Sequence, residues 1–335
     1  MTSNFVGSML LYLAIIATSF LLRERKTYII GVVAIATCLL YIELPDIAEY
    51  KEHYQLAGRT SFEYIISLYN FEPGYVGVVA ILSQVLPFEV FYIIIVSLAI
   101  HSYLKFYEKN VNKQCYIYAV FFLSFCLYFV AFTLRTTIAS MFFAYSLLNL
   151  KDNKNVFAAI LIIIGATFHV AIAPMIILPI LNKFSAFIAR RYLLVYAIAI
   201  VASIIITRYL SMNLFVGVNE IVDLKILAYD DANVTSNSLY FVLWIIAIIG
   251  SFISFKHFEE FDRLIIITTV ATIIALLPFG FIQGRFMWLT SFLFAYIFTK
   301  GTFGRFDFGK TGRLLFTVTL PLVIFLRFYL SKFSM

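Results

Sequence analysis

A few charged residues that interrupt long apolar stretches carry the candidate chemistry of this 335-residue sequence. Arg135 and Arg285 each lie in or beside an apolar segment and have no basic neighbour. A guanidinium presents a planar fork of N–H donors that fits a phosphate or pyrophosphate, and an ionisable group at membrane depth is costly enough to indicate a function. The alternative is an arginine that only reaches the lipid headgroups. Arg208 closes an apolar segment and is a weaker candidate, since it also fits a simple anchor.

Three further residues are candidates for moving a proton. His169 lies between two apolar half-segments, where it could accept a proton or hydrogen-bond a sugar or phosphate. Asp46 and Glu72 flank the first long polar loop, where a carboxylate could deprotonate a hydroxyl or pair with an arginine. The alternatives are a hydrogen-bonded core histidine and two solvated loop acids.

Tyrosines accompany these acids, at Tyr50, Tyr54 and Tyr75. Aromatic residues with one polar atom collect at the membrane–water interface, so an interfacial belt is the first interpretation. The second is a platform on which sugar rings stack, in which case the three tyrosines bind substrate.

The elements that must position these residues are transmembrane helices. Hydrophobic residues make up 63% of the chain and charged residues 13%, far from the composition of a soluble domain. Segments of this kind cross a bilayer as helices, because lipid cannot satisfy an open backbone. We therefore predict an all-α polytopic membrane protein with about 11–13 transmembrane helices. The apolar segments are 5–22, 27–44, 88–105, 115–132, 136–150, 156–168, 170–181, 192–210, 239–255, 263–280, 286–299 and 313–330.

The basic residues predict the topology. With the loop 23–26 in the cytoplasm, most of the lysines and arginines fall on the cytoplasmic side if 156–168 and 170–181 form a hairpin that turns at His169. A single crossing there would invert every later loop. Under this topology the ionisable residues of the apolar regions all meet at the outer face, and they are Asp46, Glu72, Arg135, His169, Arg208 and Arg285.

Two outer loops are longer than a simple connection requires, 45–72 and 211–238. In the first, Thr60 and Glu63 resemble a capping box that opens a short helix over 62–69. In the second, apolar residues at helical spacing predict an interfacial helix on the outer leaflet. The run 73–86 is too short to span comfortably, so we expect it to be re-entrant or interfacial. No repeat or linker divides the chain, and we predict a single domain over 1–335.

Several classes of function are disfavoured. The net charge of +7 comes from short loops between apolar segments, which indicates membrane topology and not a nucleic-acid surface. Cys38, Cys115 and Cys126 lack the spacing of metal ligands, and we predict neither a disulfide nor a metal site. The chain also lacks the nucleotide-binding and zinc-protease motifs and the serine-nucleophile elbow. We therefore expect no cofactor.

Taken in order, these residues resemble a known family. The resemblance is to the EpsG/Wzy-like family of bacterial O-antigen and exopolysaccharide polymerases, and it extends over most of the chain. The Glu-Pro-Gly-Tyr element, with the aspartate and tyrosines before it, is its most specific part. The matching positions are Asp46-x3-Tyr50-x3-Tyr54, Glu72-Pro73-Gly74-Tyr75, Arg135-x2-Ile138-Ala139, His169 and Arg285.

The resemblance implies a membrane glycosyltransferase of GT-C-like, Wzy/O-antigen ligase-like architecture in the bacterial inner membrane. It implies that oligosaccharide repeat units on undecaprenyl pyrophosphate serve as donor and acceptor at the periplasmic face, among membrane lipids and with a chain-length regulator protein as partner. Arg135 and Arg285 would then clamp the pyrophosphate in place of a metal. His169, Asp46 or Glu72 would activate or orient the acceptor hydroxyl, and the loop 211–238 would cap the donor.

Three other functions remain open from the sequence. An O-antigen ligase uses the same donor, but the loop 211–238 is modest and net acidic where ligases carry a large basic loop. A flippase or transporter for the lipid-linked sugar would carry charges through the depth of the bilayer and internal repeats, and neither feature is found. A membrane acyltransferase with His169 as its base would need that residue on the cytoplasmic side.

Overall fold

A computed structural model describes residues 2–23, 27–42, 45–61, 64, 72–112, 116, 119–120, 123, 133–191, 194–195, 197–199, 201–205, 258–276 and 280–305. Within these residues the chain is helical and contains no strand, which agrees with the predicted all-α class. The helices are α1 Thr2–Ser19, α2 Tyr28–Tyr41, α3 Pro45–Ala57, α4 Pro73–Leu82, α5 Phe88–Asn110, α6 Leu134–Lys151, α7 Asn155–Phe168, α8 Leu178–Asn182, α9 Ser185–Arg190, α10 Glu260–Ala275, α11 Gly280–Leu289 and α12 Ser291–Arg305.

The length and composition of the described helices identify one that is long and apolar enough to cross a membrane by itself, α5. The pair formed by α2 and residues 46–57 of α3 meets the same criterion together and bends by 96° at its break. Three shorter apolar helical segments are Pro73–Leu82, Asn155–Phe168 and Val170–Asn182. The number of transmembrane helices stays a prediction.

The centre of the fold is the packing of α6 against α5 on one side and α7 on the other. A β-carbon on Gly165 of α7 would lie 3.3 Å from the carbonyl oxygen of Ala139 on α6, so small residues let these two backbones approach closely. On the α5 side, the ring of Tyr103 stacks on Phe292 of α12 at 4.7 Å between centroids. Tyr107 donates a hydrogen bond of 2.6 Å to the carbonyl oxygen of Phe292. The first contact joins α7 to α6, and the other two join α5 to α12.

The segment after α7 turns back along that helix. His169 has an extended backbone, with φ −157° and ψ 114°, and it ends α7. A 3₁₀ segment, Val170–Ile177, follows, and Pro174 within it has no N–H for an α-helical bond. Beyond this segment, at the end of α8, the Asn182 side chain donates a hydrogen bond of 2.8 Å to Oδ1 of Asn155, the first residue of α7. The predicted hairpin that turns at His169 is therefore confirmed.

Polar residues collect at the two ends of α6. Arg135 lies in its first turn and Lys151 is its last residue, about 24 Å away at the rise of an α-helix. The Lys151 end holds a network in which Lys151 Nζ donates to Asn110 Oδ1 at 2.7 Å, and Lys300 Nζ contacts Asp262 Oδ2 at 2.6 Å. The Arg135 end holds the candidate site residues that the sequence grouped together.

The structure corrects several predicted boundaries. Much of the predicted loop 45–72 is α3, whose residues Tyr50, Tyr54 and Ala57 are buried at helical spacing. The predicted segment 286–299 is divided between α11 and α12. Arg285, which directly precedes that predicted segment, therefore lies inside α11. The predicted helix over 62–69, the loop 211–238, Arg208, Cys115 and Cys126 lie outside the described residues.

Candidate functional site

Glu72 occupies the centre of the candidate site. It precedes α4 with an extended backbone, φ −62° and ψ 138°, and Pro73 follows at the first helical position, where a missing N–H costs nothing. Arg135 Nη1 donates to Glu72 Oε2 at 2.5 Å, and His169 Nδ1 lies 3.5 Å from Glu72 Oε1. One carboxylate therefore joins the arginine and the histidine through its two oxygens.

The electrostatic surroundings of Glu72 favour its charged form. Burial by itself would raise the pKa of Glu72, but the Arg135 guanidinium and His169 act in the opposite direction, and the pKa lies below its usual range. Less than a fifth of each side chain in the Glu72–Arg135 pair is exposed. Each charge of so buried a pair needs the other in place, because removal of one partner would leave the other charge desolvated and uncompensated.

Gly74 allows the Glu72–Arg135 pair to lie close to His169. A β-carbon at this position would lie 2.7 Å from the carbonyl oxygen of Thr167, closer than real atoms approach. Thr167 lies two residues before His169, in the last turn of α7. Only glycine therefore lets the start of α4 lie against the end of α7, which explains the glycine of the Glu-Pro-Gly-Tyr element.

The three tyrosines of the site are buried, and one of them holds a charged group. Tyr50 accepts a hydrogen bond from Arg135 Nε at 3.3 Å, and its ring meets Tyr75 edge to face at 5.7 Å. Tyr54 donates to the carbonyl oxygen of Leu86 at 3.0 Å and stacks on Phe91. Exposure of all three tyrosines is 4% or less. Their burial disfavours the expectation that sugar rings stack on them.

A second ion pair lies beside the first. Arg285 Nη1 of α11 is 4.0 Å from Asp46 Oδ2 in the first turn of α3. The Arg285 guanidinium also lies 4.7 Å from the Trp288 ring centroid, a cation–π contact one turn along the same helix. Arg285 contributes to the electrostatic surroundings of both His169 and Tyr50, so the two pairs form one constellation.

The helix α3 connects the two ion pairs. Asp46, Tyr50 and Tyr54 follow one another at intervals of four residues and therefore share one helix face. That face meets Arg285 at Asp46 and Arg135 at Tyr50. The repeated four-residue spacing in the sequence thus corresponds to a single row of contacts.

His53 is a site neighbour that the sequence interpretation missed. It is 3% exposed, its Nε2 lies 3.9 Å from Glu49 Oε1, and its ring meets Tyr50 edge to face at 6.4 Å. Its position three residues after Tyr50 would have placed it near this face if α3 had been recognised as a helix. In the part of the chain that the structure describes, no group of three or more His, Cys, Asp or Glu side chains could hold a metal ion.

The structure thus brings together five of the residues singled out in the apolar regions: Asp46, Glu72, Arg135, His169 and Arg285. The sequence raised the possibility that the two acids pair with arginines, and both do. No curated protein and no solved structure matches the chain in the comparisons. The sequence model of the EpsG family matches residues 26–335, nearly the whole length. That family points to a polymerase-like role in polysaccharide biosynthesis at a membrane. The chain belongs to the EpsG family.

Proposed function

We propose that the chain is a membrane-embedded, metal-independent glycosyltransferase that polymerises oligosaccharide repeat units carried on undecaprenyl pyrophosphate. The product is an O-antigen or a related surface polysaccharide. The observation that carries the proposal is the convergence of two arginines, two acids and His169 at one end of the helix bundle. Family membership supports the substrate class, since the family acts in polysaccharide biosynthesis.

The arginines stabilise the leaving group in this proposal. When the anomeric carbon of the donor leaves its pyrophosphate, negative charge grows on the phosphate oxygens, and fixed guanidinium groups stabilise it without reorganising. In the absence of substrate, Glu72 and Asp46 hold Arg135 and Arg285 in place. The pyrophosphate then competes for those N–H groups, with the bidentate geometry that favours arginine over lysine.

His169 is the proposed base for the acceptor hydroxyl. The Ala171 N–H lies 3.5 Å from His169 Nδ1, as does Glu72 Oε1, so the two contacts belong to two tautomers. When Nδ1 carries the proton and donates to Glu72, Nε2 is left as the acceptor. The hydroxyl oxygen attacks the anomeric carbon, its proton passes to Nε2, and the pyrophosphate leaves with the electrons of the broken C–O bond. Glu72 positions the base, and Asp46 serves as counter-ion to Arg285.

The proposed location is the bacterial inner membrane, with the site at the periplasmic face. The basic residues at the Lys151 end, including Lys105, Lys109, Lys154 and Lys300, support a cytoplasmic placement of that end. The ion pairs at the opposite end of α6 then lie outside. Arg208 and the loop 211–238 complete the proposed donor site, and a chain-length regulator is the proposed protein partner.

Deletion of the gene, followed by gel analysis of the surface polysaccharide, tests the reaction class. Loss of a polymerase leaves single repeat units on the cell surface, because other enzymes still transfer them. Loss of an O-antigen ligase or of a flippase leaves no repeat units on the surface. An unchanged ladder of long chains in the deletion strain would overturn the proposal.

A further inference from the structure

A pocket of about 340 Å³ lies where the C-terminal end of α3 meets the turn between α4 and α5. It is separate from the ion pairs described above and has both polar and aromatic walls. We call it the α3 pocket. Its lining includes Tyr54, Gln55, Arg59, Ser83, Phe88 and Glu89.

The α3 pocket continues the row of contacts that begins at the ion pairs. Tyr50 contacts Arg135, and Tyr54, one helical turn further, lies in the pocket wall. Four residues of α-helix correspond to a rise of about 6 Å, roughly the length of one sugar ring. The pocket therefore lies about one sugar ring further along α3 than the contact between Tyr50 and Arg135.

The walls of the pocket are held by bonds between helices. Lys51 Nζ of α3 lies 2.6 Å from Glu89 Oε1 of α5 at the pocket rim. Deeper in, the hydroxyl of Tyr54 donates to the carbonyl oxygen of Leu86 in the turn before α5. Both bonds start from α3, and they end on α5 and on the turn before it, which form the opposite wall of the pocket. The pocket is therefore already formed before a ligand arrives, which lowers the entropic cost of binding.

The mixture of polar groups fits hydroxyls better than a phosphate. Gln55 and Ser83 can both donate and accept, Arg59 only donates, and the charged Glu89 carboxylate only accepts. A sugar hydroxyl is itself both donor and acceptor, so it can use every one of these groups. A lipid phosphate only accepts, and the carboxylate would repel it. The volume is within the range of small-ligand sites, and Leu86 and Pro87, which are more exposed than the aromatic residues of the lining, supply apolar surface for the ring carbons.

We propose that the α3 pocket is a saccharide subsite, which binds sugar rings of a lipid-linked oligosaccharide beyond the ring that reacts. The proposal rests on the proposed function and deepens it, since it assigns a binding place to the part of the substrate remote from the pyrophosphate. It makes Gln55, Arg59 and Ser83 determinants of substrate affinity and not of the chemical step.

The test measures turnover of the purified full-length chain in detergent, with lipid-linked repeat units extracted from cells that lack the gene. A double variant, Gln55→Ala with Arg59→Ala, removes the two longest donor side chains of the pocket, and Ser83→Trp fills it. Both are expected to raise KM about tenfold and to leave kcat within about twofold, because the ion pairs are untouched. Glu52→Ala, at an exposed position of α3 outside the pocket lining, is the matched control and should leave both constants unchanged.

The outcomes separate this proposal from the proposed function. If Arg135→Ala and His169→Ala abolish turnover but both pocket variants retain the wild-type KM, the saccharide subsite is excluded and the glycosyltransferase remains. If the wild-type protein itself does not turn over the lipid-linked repeat units, the proposed function fails and the subsite with it. Unfolding temperatures equal to the wild type within a few degrees show that the pocket variants are folded.

Discussion

Gly74 lies against the carbonyl group of Thr167, so close that a β-carbon on Gly74 would stand 2.7 Å from that oxygen. Gly74 follows Glu72 by two residues and Thr167 precedes His169 by two, so this contact between α4 and α7 sets the distance between the carboxylate and the imidazole. The placement of Glu72 against His169 therefore depends on the absence of a side chain at Gly74.

Replacement of Gly74 by alanine is therefore expected to push α4 away from α7 and to separate Glu72 from His169. We expect activity to fall at least about tenfold, since catalysis tolerates only displacements well below 1 Å in the reacting groups. Polymer length on a gel and the rate of the purified enzyme measure the loss. Gly7→Ala is the matched control, because a β-carbon there meets no atom within 4 Å. Wild-type rates in both variants would contradict the assigned role of Gly74.

The Glu72–Arg135 pair is expected to behave as a coupled unit in stability. Removal of either partner leaves a buried charge uncompensated and should cost about 3 kcal/mol of unfolding free energy, whereas removal of both should cost less than the sum. A double-mutant cycle with Glu72→Gln, Arg135→Met and their combination, followed by thermal unfolding in detergent, measures the coupling. Additive effects would show that the two side chains act independently.

The catalytic activity of Arg135→Lys and Arg285→Ala tests whether the two arginines bind the leaving group. Lysine keeps the charge of Arg135 but loses the planar fork, so kcat is expected to fall about a hundredfold. Arg285→Ala should lower kcat in the same direction. Retained polymer length at normal expression in both variants would remove the arginines from the mechanism.

Tyr50→Phe removes the hydroxyl that accepts from Arg135 Nε and leaves the ring packed on Tyr75. The expected cost in stability is about 1 kcal/mol, the net worth of one hydrogen bond. Activity is expected to fall by more than this loss of stability alone would cause, because the Arg135 guanidinium loses the hydrogen bond that its Nε donates to Tyr50. Tyr107→Phe provides the control, because it removes one hydrogen bond of a buried tyrosine close to the Lys151 end of the bundle. Equal activity of the two variants would argue against a positioning role for Tyr50.

The pH dependence of stability follows from the lowered pKa of Glu72. A carboxyl group whose folded-state pKa lies below its unfolded value contributes stability that is fully present above the unfolded value, about 4.5, and is lost as the pH falls through the folded value. The unfolding temperature of the wild type should therefore decline below about pH 4.5 more steeply than that of Glu72→Gln. Parallel curves for the two proteins would show that this carboxylate is not the group responsible.

The orientation of the chain can be tested with single cysteines in a background that lacks Cys38, Cys115 and Cys126. A membrane-impermeant maleimide should label Glu52→Cys in intact spheroplasts, because α3 lies at the Arg135 end of the bundle. Lys154→Cys, exposed at the opposite end, should be labelled only after lysis. The reverse pattern would place the ion pairs in the cytoplasm and contradict the proposed outer site.

Much of the site followed from the sequence because its residues are chemically out of place. Arg135, His169 and Glu72 attract attention wherever the chain folds, since an ionisable group beside an apolar segment needs a physical reason. The hairpin at His169 was also predictable, because lysines and arginines are enriched in cytoplasmic loops and only a hairpin places most of them on one side of the membrane. Both inferences use only local composition and order.

The partners in each pair were decided by tertiary structure alone. Glu72 and Arg135 are 63 residues apart, and their contact depends on α4 lying against α7 at Gly74 and Thr167. The helix α3 was missed because its polar residues resemble a loop, and its helical row of tyrosines is buried only by the neighbouring helices. His53 was missed for the same reason. Residue type determines which groups must find partners in a membrane, but helix packing determines which partners they find.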